Sequence, residues 1–428
     1  MRGLLIRGGR VVDPAAGLDG ARDVLLRDGA VAGVGERLDS GDAEVLDASG
    51  LLVFPGFIDL HVHLREPGRE YAETIASGAA AAAAGGFTAV CAMPNTEPTN
   101  DDRSVTAFVS ARGAEAGAAR VYPIGAITRG RKGAEIAEFG EMQRAGAVAV
   151  SDDGDWVADG DLLRRALQHA SLYGLPVVQH AEDTSLSRRG PMHEGGVSTR
   201  LGLAGQPDVA EASAVARDLL VARLAGGRLH LAHLSTALGV ASVREAKSRG
   251  LPVTCEATPH HLTLTDEEVA RSGYSTRFKM NPPLRESGDV AALVEALEDG
   301  TVDAIASDHA PHHADEKAVE FDAAPFGVVG LETAAAVVHD RLVRPGRLSL
   351  RRFVELLSSG PARTFGLPGG TLAPGSPADV TLFDPMKRWT VDPARFLSLG
   401  RSTPFAGWEL VGAPAATIVG GRVVWSGR

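Results

Sequence analysis

Between about residues 56 and 367 the chain repeats one pattern: a short apolar run, then an alanine- and leucine-rich stretch of helical length. The runs are FIDLHVH, TAVCAMPN, RVYPIGAIT, AVAVSDDG, PVVQHAE, LHLAHLS, VTCEATPHH and DAIASDHAP. Eight strands alternating with helices predict a (β/α)8 barrel of the TIM type, an α/β fold. Periodicity alone also fits a doubly wound open sheet. The barrel is favoured because nearly every run ends in His, Asp or Asn at its C-terminal edge, where such barrels carry their active sites.

The flanks read differently. LLIRGGRVVDP, DVLLRDGAVAGVG and AEVLDASGLLVFPG near the start, and ADVTLFDP and ATIVGGRVVWSG near the end, are short alternating runs broken by turn residues. Gly8-Gly9 and Asp28-Gly29 read as hairpin turns. IRGGRVV and IVGGRVV look like two copies of one hairpin, so both termini are expected to build one small β-sandwich. The expected division is 1–55 for its first part, 56–367 for a catalytic barrel and 368–428 for its second part.

Composition narrows the setting. With 428 residues, 44% hydrophobic content and a mean hydropathy of zero, the chain can bury a large core. No signal-peptide h-region follows Leu4, Leu5 and Ile6, because Arg7 and Arg10 interrupt it, and no run approaches the roughly 20 apolar residues of a membrane span. A cytoplasmic location is expected. Net charge is −11 with dispersed basic residues, which argues against nucleic acid or an anionic membrane as partner. Cys91 and Cys255, far apart in apolar runs, are expected as buried core thiols.

The strand ends carry the chemistry. His61 and His63 lie two apart on the first run, so both imidazoles face one side. Asp153 ends the fourth run, His180 the fifth, His233 the sixth and Asp308 the eighth. Carboxylates and imidazoles converging on one buried rim need cations. Nitrogen and oxygen donors without thiolate suit zinc, with manganese or cobalt as alternatives. Six donors exceed one open tetrahedral site and fit two ions sharing a carboxylate. His61, His63 and Asp308 are assigned to one ion, His180 and His233 to the other, and Asp153 to the bridge, with Asp152 as its competitor.

At these residues the chain resembles the class I dihydroorotases, within the cyclic amidohydrolases. GFIDLHVHLREPG (56–68), AMPNTEP (92–98) and IASDHAPH (305–312) are similar to that family's hallmark stretches, in order, and the likeness spans essentially the whole chain. Many amidohydrolases bridge their metals with a carboxylated lysine on the fourth strand. Here that strand ends Ser151-Asp152-Asp153-Gly154, and no lysine occurs between Lys132 and Lys247. The resemblance therefore implies an aspartate bridge, prefers Asp153 for it, and points away from hydantoinases and allantoinases.

The resemblance also implies an activity, zinc-dependent interconversion of dihydroorotate and N-carbamoyl-aspartate in pyrimidine synthesis. Asp308, with one oxygen for a metal, could use the other to move a proton between the attacking water and the leaving ring nitrogen. Arg65, two residues beyond His63, offers paired donors to a substrate carboxylate. By resemblance, Asn95 and His312 join Arg65 there, Asn281 reads the ring, and the backbone at Phe326 and Gly327 reads the pyrimidine edge; His63 borders the same pocket. Two zinc ions bring about +4 and Asp153, Asp308 and hydroxide remove about 3, so the pocket stays cationic in an acidic chain.

The remaining histidines receive quieter readings. His169, His193 and His339 are expected to be structural or solvated, and His230 to face away from His233. His260 and His261 stand near the rim as supporting groups, with His309 and His313 unassigned. The small residues from Ser77 to Gly86 are expected to pack a helix closely on the barrel. The rival readings are a dihydropyrimidinase or allantoinase, and a metal-free scaffold for aspartate carbamoyltransferase, which should have lost ligands that are all present here. A homodimer and association with aspartate carbamoyltransferase are family-level expectations.

Overall fold

A computed structural model describes residues 3–427. The N-terminal strands are β1 (Leu4–Asp13), β2 (Leu18–Arg27), β3 (Ala30–Gly35), β4 (Glu44–Asp47) and β5 (Leu52–Pro55). Then come β6 (Phe57–Val62), β7 (Phe87–Ala92), β8 (Arg120–Gly125), β9 (Ala149–Ser151) and β10 (Val177–Gln179). A two-residue pair, β11 (Met192–His193) and β12 (Gly205–Gln206), interrupts the series before β13 (Leu229–Leu231), β14 (Val253–Ala257) and β15 (Ala304–Ile305). The chain ends with β16 (Val380–Thr390), β17 (Glu409–Val419) and β18 (Arg422–Ser426).

β6 to β10 and β13 to β15 pair in sequence order, parallel throughout. The ring closes where Val62 bridges His309 and the His63 amide donates to the His309 carbonyl at 2.8 Å. All eight expected runs are barrel strands, so the closed barrel replaces the open-sheet alternative.

Helices between the strands bury one apolar face each. In Gly160–Ser171 the buried side chains are Leu162, Leu163, Ala166, Leu167 and Ala170, the i, i+4 spacing of a single stripe, and Asp159 caps the first turn. Ile75–Ala84, capped by Thr74 and Ser77, is small-residued for a visible reason: a Cβ on Gly78 would stand 2.4 Å from Leu64. The close packing expected of this run is therefore present.

The terminal strands form one eight-stranded sheet, ordered β18-β17-β16-β5-β1-β2-β3, with β4 added beside β1. Leu4, Ile6, Val24, Leu26, Val53, Val380, Leu382 and Ile418 give this β-sandwich unit its own core. Phe54, Phe57, Phe353 and Phe383 join it to the barrel, with neighbouring ring centroids 5.6–6.2 Å apart.

One expected hairpin is absent. Gly420-Gly421 does turn β17 into β18, but Gly8-Gly9 lies inside β1, where the pairing with β2 slips between Ile6 and Gly9 as a bulge. β5 explains it: a Cβ on Gly9 would meet Val53 at 2.4 Å, so this glycine pair admits a neighbouring strand and makes no turn. Cys91 and Cys255 are buried free thiols. Among the described residues, no helix is long and apolar enough to cross a membrane.

Candidate metal centre

The closing ends of the barrel strands bring His61, His63, Asp153, His180, His233 and Asp308 together, all buried. His61 Nε2 lies 3.3 Å from Asp153 Oδ1 and 3.6 Å from Asp308 Oδ1. His63 Nε2 lies 3.5 Å from Asp153 Oδ2 and 3.4 Å from Asp308 Oδ1. His180 Nδ1 and His233 Nε2 are each 3.7 Å from Asp153 Oδ1, and 2.9 Å from one another. Asp153 thus faces all four imidazoles, as a shared ligand must.

The 3.3–3.7 Å separations from the two aspartates fit metal better than hydrogen bonds, whereas His180 and His233 stand at hydrogen-bond distance from one another. Around a tetrahedral ion with bonds of roughly 2.05 Å, neighbouring donors stand about 3.3 Å apart. His61 Nε2 and Asp153 Oδ1 are buried with no hydrogen-bond partner, an arrangement that is costly unless a cation is held between them. The field agrees. Burial works against charge on His180, yet Asp153 and Glu182 raise it to about 10, and the same carboxylates favour a bound cation.

Local backbone geometry aims the side chains. Arg65, His233 and Asp308 have φ of 59°, 31° and 46°, a left-handed region that non-glycine residues seldom enter. For His233 this breaks strand alternation. Alternation predicts that His230 faces away; instead it is buried, and its Nε2 lies 3.1 Å from Glu256 Oε2, beneath the same cluster.

Two carboxylates absent from the sequence reading orient the imidazoles. Glu256 Oε1 is 2.8 Å from His61 Nδ1, and Glu182 Oε2 is 3.1 Å from His180 Nε2, which leaves His61 Nε2 and His180 Nδ1 for metal. Burial pushes both acids up, but their hydrogen bonds to histidine, from His230 and His61 for Glu256 and from His180 for Glu182, hold each at about 2. Both leave a sequence signal. Glu256 is a lone acid in an otherwise apolar strand, and Glu182 follows His180 at strand spacing. On the third imidazole, His63 Nδ1 lies 2.8 Å from Asn95 Oδ1.

Asp152 and Asp153 have separate tasks. Asp152 Oδ1 accepts from the amides of Ile127 and Thr128 at 2.9 and 3.0 Å, and Oδ2 accepts from the Thr128 hydroxyl. Asp152 ties down a loop while Asp153 faces the histidines.

Arg65 is buried, and its Nε donates to the Pro311 carbonyl at 3.0 Å. Burial brings its guanidinium down to about 10, with Arg69 pushing the same way, and among the described residues no carboxylate pairs with it. Its neighbour Glu66 instead accepts from Arg112 Nε at 3.0 Å and caps the Ile75 amide at 2.8 Å. His312 Nε2 lies 2.8 Å from the Phe326 carbonyl, and burial followed by the charges of Arg65 and Lys317 lowers it to about 3. Gly327 has φ of 126°, and a Cβ there would stand 2.8 Å from the Ala310 side chain and 3.0 Å from His312 Nε2. Asn281 is engaged already: Nδ2 donates to Glu182 Oε2 at 2.7 Å, and Oδ1 accepts from Gln206 Nε2 at 3.0 Å.

Other histidines stand apart. His193, Asp266 and Glu286 have metal-like spacing, but the Arg285 guanidinium donates to His193 Nδ1 at 3.1 Å. That bond needs the Nδ1 lone pair, so Nδ1 is engaged by the guanidinium and the proton sits on Nε2. His169 stacks on Phe139, His339 Nδ1 lies 2.9 Å from the Val411 carbonyl, and His313 caps a short helix. His261 Nε2 is 3.0 Å from the Pro282 carbonyl, and His309 Nε2 is 3.3 Å from Glu73. His260 is buried with Nε2 unpartnered.

Comparison with known proteins agrees with this geometry. A family model described as dihydro-orotase-like matches residues 50–238. Dihydroorotase of Anaeromyxobacter dehalogenans is 61% identical over 422 residues, covering 98% of this chain and 97% of that protein. Dihydroorotase of Pelotomaculum thermopropionicum is 57% identical over 425 residues, covering 99% of each. Among solved structures, L-hydantoinase (dihydropyrimidinase) from Arthrobacter aurescens superposes with a TM-score of 0.88 at 29% identity, covering all of this chain and 96% of that one. Dihydropyrimidinase from Brevibacillus agri gives 0.86 at 26% identity, covering 98% and 94%. The fold is thus shared with a hydantoinase and a dihydropyrimidinase, while identity near 60% across the full length is specific: the chain belongs to the dihydroorotase family.

Proposed function

We propose that the chain, a cyclic amide hydrolase, interconverts (S)-dihydroorotate and N-carbamoyl-L-aspartate for pyrimidine synthesis, using two zinc ions per chain. One observation carries this reading: a buried guanidinium with no carboxylate partner among the described residues, Arg65, borders a rim of six buried metal-type donors. His61, His63 and Asp308 would hold one ion, His180 and His233 the other, and Asp153 both. When bound, such ions supply Lewis acidity, lowering the pKa of water towards about 7 and polarising a carbonyl.

The chain's own residues supply the rest. Arg65 fixes the substrate carboxylate, with Asn95 and His312 beside it, and Asn281 and the backbone at Phe326 and Gly327 read the ring. Although burial pushes Asp308 up, His63 and the charges of His61 and His233 hold its carboxyl well below the usual range. Asp308 is therefore ionised and able to accept a proton from the attacking water. It returns that proton to the ring nitrogen as the carbon–nitrogen bond breaks, so the ring opens to a carboxylate and a ureido group. In the cyclisation direction the same carboxylate takes the ureido proton.

The reading divides the chain into a catalytic barrel at 56–367 and a terminal unit built from 1–55 and 368–428, in a cytoplasmic protein. It extends to a homodimer and to association with aspartate carbamoyltransferase, which size-exclusion chromatography with and without that enzyme tests. The activity is tested by incubating zinc-loaded protein with L-dihydroorotate and following ring absorbance. Turnover is expected. A chain that holds two metals yet leaves L-dihydroorotate intact while opening hydantoin, dihydrouracil or allantoin sinks the assignment.

A further inference from the structure

Two lysines outside the metal centre, Lys279 and Lys317, are buried, and their ammonium groups are met by backbone carbonyls. Lys317 Nζ donates to the Pro325 carbonyl at 2.8 Å, the Gly327 carbonyl at 2.9 Å and the Lys279 carbonyl at 3.4 Å. Lys279 Nζ donates to the Phe321 and Asp322 carbonyls at 2.8 and 2.9 Å, and stands over the Phe326 ring, 4.8 Å from its centroid. Neither pairs with a carboxylate among the described residues.

Four of these five acceptors lie within one segment, residues 321–327, and the fifth lies two residues before Asn281. The segment is tied in again from the other side. The Gly327 amide donates to the Lys279 carbonyl at 3.1 Å, and the Phe326 carbonyl faces His312 Nε2. A buried ammonium is costly unless its protons are met, and three carbonyls around one Nζ satisfy all three donors of Lys317. The arrangement fixes the path of a segment that would otherwise be a loop free to shift.

We infer that Lys317, with Lys279, is a positioning residue that clamps the 321–327 loop and so presets the pocket wall formed by Phe326, Gly327 and His312. This rests on the dihydroorotase reading for what the wall recognises, but not for the clamp itself. An unclamped loop would spend part of its time away from the binding geometry. Affinity falls by the fraction of molecules in the competent state, while substrate at saturation reorders the loop. A clamp therefore acts on KM and leaves kcat nearly untouched.

The test compares wild type with Lys317→Met, which keeps the apolar stem and removes the three donors. With L-dihydroorotate, KM is expected to rise about tenfold with kcat within about twofold. Without substrate, hydrogen–deuterium exchange is expected to quicken in residues 318–328 and to stay unchanged along β9 and β10. If Lys317→Met does not fold, Thr276→Val serves, because the Thr276 hydroxyl donates to the Lys317 carbonyl at 2.6 Å and anchors the same turn. Unchanged exchange in the loop overturns the clamp, as does a fall in kcat at constant KM. A wild type that never turns over dihydroorotate sinks the functional reading alone, since the exchange comparison still reads the clamp.

Discussion

Glu256 Oε1 lies 2.8 Å from His61 Nδ1 while Glu256 Oε2 lies 3.1 Å from His230 Nε2, so one buried carboxylate joins a rim histidine to a histidine beneath it. The first contact keeps a proton on His61 Nδ1 and leaves Nε2 as a lone pair aimed at Asp153. A carboxylate in this position raises the basicity of the ligand and fixes the ring. Glu256→Gln keeps the shape and removes the charge. It is expected to weaken metal binding about 10- to 100-fold, read as metal retained per chain against a graded chelator. Retention equal to wild type would show that Glu256 does not orient His61.

Asp308→Asn tests proton transfer. The amide cannot accept the proton that the proposed mechanism gives to the ionised carboxylate, and general-base catalysis is worth about 100- to 10,000-fold. Turnover should fall by that order in both directions, because the same group serves ring opening and ring closure. Since an amide is also a poorer ligand, metal content must be measured on the same sample. A variant holding wild-type metal and turning over at more than about a tenth of the normal rate would place the proton elsewhere.

Arg65→Lys separates charge from geometry. The guanidinium is already held through Nε at the Pro311 carbonyl, which leaves its other nitrogens for a substrate carboxylate. Lysine keeps one charge but loses the planar pair of donors and the Pro311 anchor. A loss of about 1.5–3 kcal/mol is expected, or roughly 10- to 150-fold in kcat/KM for L-dihydroorotate. Hydantoin, which lacks the carboxylate, offers the control: any residual activity on it should be unaffected.

How much of the fold and the site is legible in the sequence depends on the distance over which each feature is encoded. Strand order and metal-type residues are local facts, so HVH, SDD, QHAE, AHLS and SDHAPH suffice to locate the rim. Bulges and buried partners are set by elements distant in the chain. Gly8-Gly9 is a turn by composition and a bulge in fact, because Val53 on β5 presses against it. Alternation misplaces His230 because the kink at His233 ends it, and φ of 31° is not written in AHLS. Glu256 is readable in principle, as an acid in an apolar strand. Lys279 and Lys317 are not, since a lysine in polar surroundings is ordinarily solvated and nothing nearby announces the carbonyls that meet it.

The loop clamp carries its own pH dependence, with a sign opposite to first intuition. Burial, and then the charge of Lys279, lowers the Lys317 ammonium to about 7, with Glu316 opposing. Besides Lys279, the groups facing it are Glu316 and His312 from its own turn and the segment before, while Asp322 faces Lys279 across the loop. Opening the loop returns Lys317 to water, where an amine keeps its proton to about pH 10.4. Above pH 7 the closed loop holds Lys317 as a neutral amine whose two N–H groups still meet the near Pro325 and Gly327 carbonyls, so each opening takes up a proton and grows harder as pH rises, by at most about tenfold per unit. Lys279, also lowered by burial, acts in the same direction. His312, at about 3, stays neutral throughout. Corrected for intrinsic exchange, protection of residues 318–328 should climb from about pH 7 to about pH 9 in wild type and flatten in Lys317→Met. Protection that falls with pH in wild type would mean that the closed loop binds the proton more tightly than water does, and the burial argument for Lys317 would then be wrong.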